Sequence, residues 1–174
     1  MTRYNIEQIE NMAAQLLEEY NMDNEIPIDP ILLANKLGIR VYAGDFRDSD
    51  ISGVIRKNGD EIEILVQADH HPNRQRFTIA HELGHFKLHI DKEELEKQDH
   101  IEYRRNKNFS IEEEEANRFA AALLMPRKAL LREIESCGPL MKKYPDFLID
   151  YLAIKFFVSK DAMRFRLFNL GLIR

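Results

Sequence analysis

The chain has 174 residues, enough for one globular domain with a real core, and its 44% hydrophobic and 32% charged content excludes a disordered polymer. A net charge of −5 argues against a general nucleic-acid binder, which carries an overall basic balance. The single cysteine, Cys137, excludes an intramolecular disulfide framework and fits a reducing compartment.

The N-terminus, "MTRYNIEQIENM", is polar and lacks the apolar stretch of a signal peptide, and the longest apolar run, "FAAALLM" at 119–125, is far too short to span a bilayer. The expectation is a cytoplasmic protein with no membrane partner. Ile6, Ile9, Met12, Ala13, Leu16, Leu17 and Tyr20 follow helical spacing and predict an amphipathic opening helix. "EIPIDPILLANKLG" predicts a second, short helix, with Asp29 at the N-cap, Pro30 at the first helical position and Gly38 just past the end. "IRVYA", "ISGVIR" and "EIEILVQ" are strand-like, and in the last Glu61 and Glu63 alternate with Ile62 and Ile64. Asn58-Gly59 between the last two marks a hairpin, so the sheet is expected to be small and largely antiparallel.

From about Pro72 the pattern turns helical, with helices expected at 73–90, 110–125, 127–136, 145–157 and 160–170. The charged stretch "DKEELEKQDHIEYRRNKN" reads as a mobile segment or a short exposed helix beside a cleft. No composition shift divides the chain. We expect one domain over 1–174: helices and small sheet in 1–71, site-bearing helices in 72–126, and C-terminal helices in 127–174.

"FTIAHELGHFKLH", at 77–89, carries His81-Glu82-x-x-His85. Residues four apart on a helix stack on one face, so both imidazoles can reach a single ion, and Glu82 sits beside that ion, where it can take a proton from water. Ile79, Leu83, Phe86 and Ile90 form a core stripe, with the histidines on roughly the opposite side. Gly84 there would let another helix come close. His89 continues the spacing, but three successive turns of one helix cannot surround an ion tetrahedrally. His70, His71 and His100 read as surface or loop histidines.

A catalytic zinc takes three protein ligands and leaves one position open. The reservoir for the third is "SIEEEEANRFAAALLMP", whose plain reading is a helix start with Ser110 as N-cap and acids in the first turn. Ala116, Phe119, Ala120, Leu123 and Leu124 define its buried face. Projected backward, that face includes Glu112 and Glu113, while Glu115 falls to the side and Glu114 points away. Glu113 is thus the favoured ligand, with Glu112 and Glu115 in reserve. Asn117, one turn on, is placed to hydrogen-bond a neighbouring ligand. Ala116 and Ala120 would permit close approach to Gly84.

"RQRFTIAHELGHFKLH" followed by "EEEEANRFAAALLMP" resembles the ImmA/IrrE family of metallo-endopeptidases. "IPIDPILLANKLGI", "SGVIRKNGDEIEILV" and the tail "FFVSKDAMRFRLFNLGLI" extend the resemblance over most of the chain, in a compact stand-alone form. It implies an α+β fold with a zincin-like histidine helix, one Zn2+ per chain on His81, His85 and Glu113, and Glu82 as catalytic base. It also implies a protein substrate, a helix-turn-helix transcriptional repressor. A donor for the oxyanion is expected among His100, Tyr103 and Arg104.

A rival reading rests on the tail. Val158-Ser159, Ala162-Met163 and Arg166-Leu167 resemble the turn and second helix of a helix-turn-helix, and Lys155, Lys160, Arg164, Arg166 and Arg174 make it locally basic. On that reading the chain is a DNA-binding or antirepressor regulator without proteolysis. The plainer expectation is that Ala162, Met163, Phe165, Leu167, Leu170 and Leu172 pack the C-terminal core.

Overall fold

The computed structural model describes residues 4–46, 51–90, 100–104, 110–138 and 143–173. Helix α1 (Ile6–Glu19) starts at a capping box, in which Asn5 Oδ1 accepts from the Gln8 amide and Gln8 Oε1 accepts from the Asn5 amide, both at 2.8 Å. Ile9, Ala13, Leu16 and Leu17 of its stripe are buried, and each large one contributes about 1.5–3 kcal/mol. Ile6, in the first turn, instead faces solvent. Helix α2 (Pro30–Lys36) begins where the Asp29 carboxylate accepts from the amides of Ile31 and Leu32. It ends at Gly38, whose φ of +77° a residue with a Cβ rarely adopts.

Strands β1 (Ile39–Gly44), β2 (Gly53–Asn58), β3 (Glu61–Gln67) and β4 (His100–Arg104) form one sheet in the order β1-β3-β2-β4. The β2–β3 hairpin forms as predicted, with Asn58 opposite Glu61 and Gly59 at φ +62° in the turn. The sheet is mixed: β1 runs parallel to β3, whereas β2 is antiparallel to both β3 and β4. With β4 on the far edge of β2, β1 joins the sheet beside β3, whose direction it shares. Strand β4 corrects the helix-or-mobile expectation for its residues, since the open edge of β2 supplies a ladder that Ile101 to Arg104 can join. The rest of that charged stretch lies outside the described residues. Glu63 also departs from the predicted alternation, being buried and held by Arg56 directly opposite at 2.9 Å.

The helices that follow are α3 (Pro72–Leu88), α4 (Ile111–Leu124), α5 (Arg127–Ser136), α6 (Pro145–Phe156) and α7 (Lys160–Asn169), all within two residues of expectation. Helix α3 is buried continuously from Thr78 to Gly84 because the sheet covers one side and α4 the other. This enclosure, rather than one stripe, places polar and apolar side chains alike out of solvent. The predicted close approach is present: a Cβ on Gly84 would stand 3.1 Å from both Cα and O of Ala116 and 3.3 Å from the Phe119 Cβ. Gly84→Ala should therefore lower stability, because overpacking costs about 1–3 kcal/mol and outweighs a helix-propensity gain of about 1 kcal/mol. Thermal unfolding measures this, and a variant as stable as the parent would show that α4 yields freely.

Candidate metal centre

Two helices meet at the histidines. Helix α3 presents His81 and His85 one turn apart, and the first turn of α4, started by Ser110 Oγ accepting from the Glu113 amide, presents Glu113. Nε2 of His81 lies 3.0 Å from Nε2 of His85, and the two nitrogens lie 3.4 and 3.2 Å from the carboxylate oxygens of Glu113. One donor atom from each residue falls within 4.8 Å of the others.

The ring protons follow from the outer partners. Nδ1 of His81 lies 3.0 Å from Asn117 Oδ1, which can only accept, so Nδ1 carries the hydrogen and Nε2 is left with a lone pair. Nδ1 of His85 lies 3.1 Å from Nδ1 of His89. Two imidazole lone pairs and two carboxylate oxygens converging this closely repel one another unless a proton or a cation stands among them. Two nitrogens and a carboxylate are the donor set of a catalytic zinc site, so the residues present fit such an ion. Burial on its own would raise the Glu113 carboxyl, but a proton on Nε2 of His81 or His85, standing in for the cation, hydrogen-bonds to it and holds the group well below the usual carboxylate range. Glu113 is thus ionised at neutral pH and loses no proton on meeting a cation.

Glu82, on the same turn as His81, is only 3% exposed. It faces the start of β2, where a Cβ on Gly53 would meet Thr78 Cγ2 at 2.3 Å and Glu82 Oε1 at 3.4 Å. Only glycine lets the strand lie this close. Arg74 holds the preceding residue through a 2.9 Å hydrogen bond to the buried Ser52 hydroxyl. Neither Gly53 nor Ser52 was singled out from the sequence, although a glycine opening a strand four residues before the hairpin is a signal of close backbone approach.

The register of the four glutamates differs in part from the helical projection. Glu113 faces the histidines as expected, but Glu112 is exposed and Glu115 is 2% exposed. The apolar face projected backward bends at the first turn, because His89 and the amide of Tyr4 draw Glu115 inward at 3.0 and 3.1 Å. Burial pushes the His89 ring below the ordinary histidine range, against the hydrogen bond it donates to Glu115, which raises it. Of the oxyanion candidates, His100, Tyr103 and Arg104 lie in β4, and their side chains are outside the described residues.

The basic tail is engaged within the fold. Arg166 is buried, donates to Met125 O at 3.1 Å and forks onto both carboxylate oxygens of Glu10. Arg164 pairs with Asp146 at 2.7 Å, Lys160 with Asp150 at 2.8 Å and Lys155 with Glu133. Arg174 lies outside the described residues. Among the predicted core residues Met163 and Leu167 are buried, whereas Phe165 is 68% exposed. The corner between α6 and α7 turns at Phe157, in the left-handed region at φ 53°, with Arg76 donating to its carbonyl at 3.2 Å and lying over its ring. Among the described residues no helix is long and apolar enough to cross a membrane.

Comparison with known proteins places this geometry in context. Residues 34–168 match the family described as the IrrE N-terminal-like domain, a peptidase family. The chain is 37% identical over 76 residues to the radiation response metalloprotease IrrE of Deinococcus radiodurans and, to the same degree over the same length, to that of Deinococcus deserti. Each match takes in 44% of this chain but only 23% and 27% of those proteins, so the chain spans about a quarter of the curated relatives it matches. A Mycobacterium tuberculosis transcriptional regulator shares the fold, with a TM-score of 0.60 at 17% identity, covering 92% of this chain and 46% of that one. The match over 34–168 takes in both the histidine helix and the glutamate helix, and the chain belongs to the IrrE N-terminal-like family of metallopeptidases.

Proposed function

We propose that the chain is a zinc-dependent endopeptidase, that residues 1–174 act as a single metallopeptidase domain, and that its substrate is a helix-turn-helix transcriptional repressor cut at one site in the cytoplasm. The observation that carries the reading is the convergence of His81 Nε2, His85 Nε2 and the Glu113 carboxylate, with Glu82 on the same helical turn. When bound there, zinc supplies Lewis acidity that lowers the pKa of water and polarises a peptide carbonyl. Glu82 is the general base: it accepts the proton of the attacking water and returns it to the departing amine. The Glu82 carboxylate lies against the start of β2 at Gly53, and Asn117 keeps His81 in the tautomer that offers Nε2. Burial of α3 between sheet and α4 keeps bulk water away from His81 and Glu82.

The repressor as substrate rests on the family resemblance. The reading as a DNA-binding regulator is less well supported, because Lys155, Lys160, Arg164 and Arg166 are already paired with acids of the same chain. The test is incubation with a helix-turn-helix repressor encoded beside this chain's gene, followed by mass spectrometry of the products. One internal cut that a chelator abolishes and zinc restores is expected. Chelator-insensitive cleavage would assign the activity to a contaminant.

A further inference from the structure

Helix α3 ends one residue before His89, which caps it at φ −122° and ψ −24°. Its imidazole reaches back along α3 to the residue four earlier. Its two nitrogens are both engaged: Nδ1 lies 3.1 Å from Nδ1 of His85, and Nε2 lies 3.0 Å from Glu115 Oε2. The His89 and Glu115 side chains are only 5% and 3% exposed, so the pair has little water to fall back on. Glu115 Oε1 accepts from the Tyr4 amide at 3.1 Å, and the Tyr4 hydroxyl donates to Leu88 O at 3.3 Å. That closes a ring of contacts around the end of α3. With both nitrogens so placed, His89 is not a ligand, and burying two titratable side chains needs another reason.

We propose that His89 is a positioning residue for His85, and that Glu115 dictates which of its nitrogens accepts. The inference rests on the metal-site reading above. Ligation through His85 Nε2 requires that His85 carry its hydrogen on Nδ1, and that hydrogen needs an acceptor. Glu115 supplies the condition. Its carboxylate accepts from Nε2–H of His89, and the neutral ring then turns the lone pair of Nδ1 to His85. His81 has the same service from Asn117, so each histidine is oriented by a side chain beyond it, one an amide and the other a His–Glu pair. Neither of these arrangements needs Glu115 to touch the ion, which explains why a buried glutamate sits two residues from the ligand.

The test measures zinc affinity of the purified full chain by competition with a chromophoric chelator, and the visible spectrum of the cobalt-substituted form. His89→Leu should weaken zinc by about 10- to 100-fold and shift the cobalt bands. His89→Asn should recover much of the loss, because the amide oxygen falls near the position of Nδ1 and accepts the same hydrogen. Should His89→Leu fail to fold, Glu115→Gln decides the matter, with a several-fold weaker affinity expected while His89 stays in place. Unchanged affinity and spectrum in these variants would overturn the positioning role alone, as would equal losses in Leu and Asn, which would mean that volume rather than an acceptor matters. A wild-type chain that takes up neither zinc nor cobalt would overturn the metal reading and this one with it.

Discussion

Glu82→Gln is expected to leave the chain folded and loaded with metal while slowing peptide hydrolysis by roughly 10²- to 10⁴-fold, the usual contribution of a positioned general base. The exchange keeps the shape of a side chain whose Oε1 lies 3.4 Å from where a Cβ on Gly53 would stand, so the close approach of β2 is undisturbed and only the basicity is lost. Glu82 is absent from the set of atoms that converge on one point, which separates its role from that of His81, His85 and Glu113. Metal content and cleavage rate should therefore part company in this variant. Full activity would move the base to another residue, and loss of metal together with activity would make Glu82 part of the metal's support.

The second large effect separates the glutamates. Glu113→Ala should reduce zinc affinity by more than the roughly 100-fold typical of a residue behind the ligands, because it removes a donor itself. It also leaves two imidazole lone pairs 3.0 Å apart with nothing ionised opposite them. Glu112→Ala, one residue away and exposed, should change neither affinity nor stability by more than about 0.5 kcal/mol. Isothermal titration with zinc on both variants checks the pair. Equal losses would mean that the negative charge of the first helical turn, and not one carboxylate, holds the ion.

Much of this was legible before any coordinates. Local signals carried the helices: Asp29 and Ser110 cap as their chemistry dictates, and Gly38 and Gly59 take the conformations that only glycine takes easily. The histidine pair was readable because four-residue spacing is itself a geometric statement, and Glu113 with Asn117 because they share one helical face. What escaped was non-local. That β1 would lie parallel to β3, and that His100 to Arg104 would form the edge of the sheet, depend on which edges were already occupied. Gly53 escaped because the need for a missing Cβ arises only when α3 lies across the strand. Glu115 escaped because its partners, His89 and Tyr4, are 26 and 111 residues away along the chain. Helical projection sees one helix at a time, and a buried acid is decided by what faces it.

Arg166 teaches the same point. Its place in a basic tail suggested a groove-facing side chain, yet it lies buried and forked onto Glu10, 156 residues away. A bidentate pair of this kind ties the last helix to the first.

The most direct measurement is elemental analysis of the wild-type chain and of His85→Ala, purified in parallel without added metal. About one zinc per chain in the wild type and none in the variant is the predicted result, since His85 supplies one of the three donors that converge among the described residues. No metal in either, even after zinc is supplied, would contradict the account at its centre and leave the convergence of His81, His85 and Glu113 without a chemical purpose.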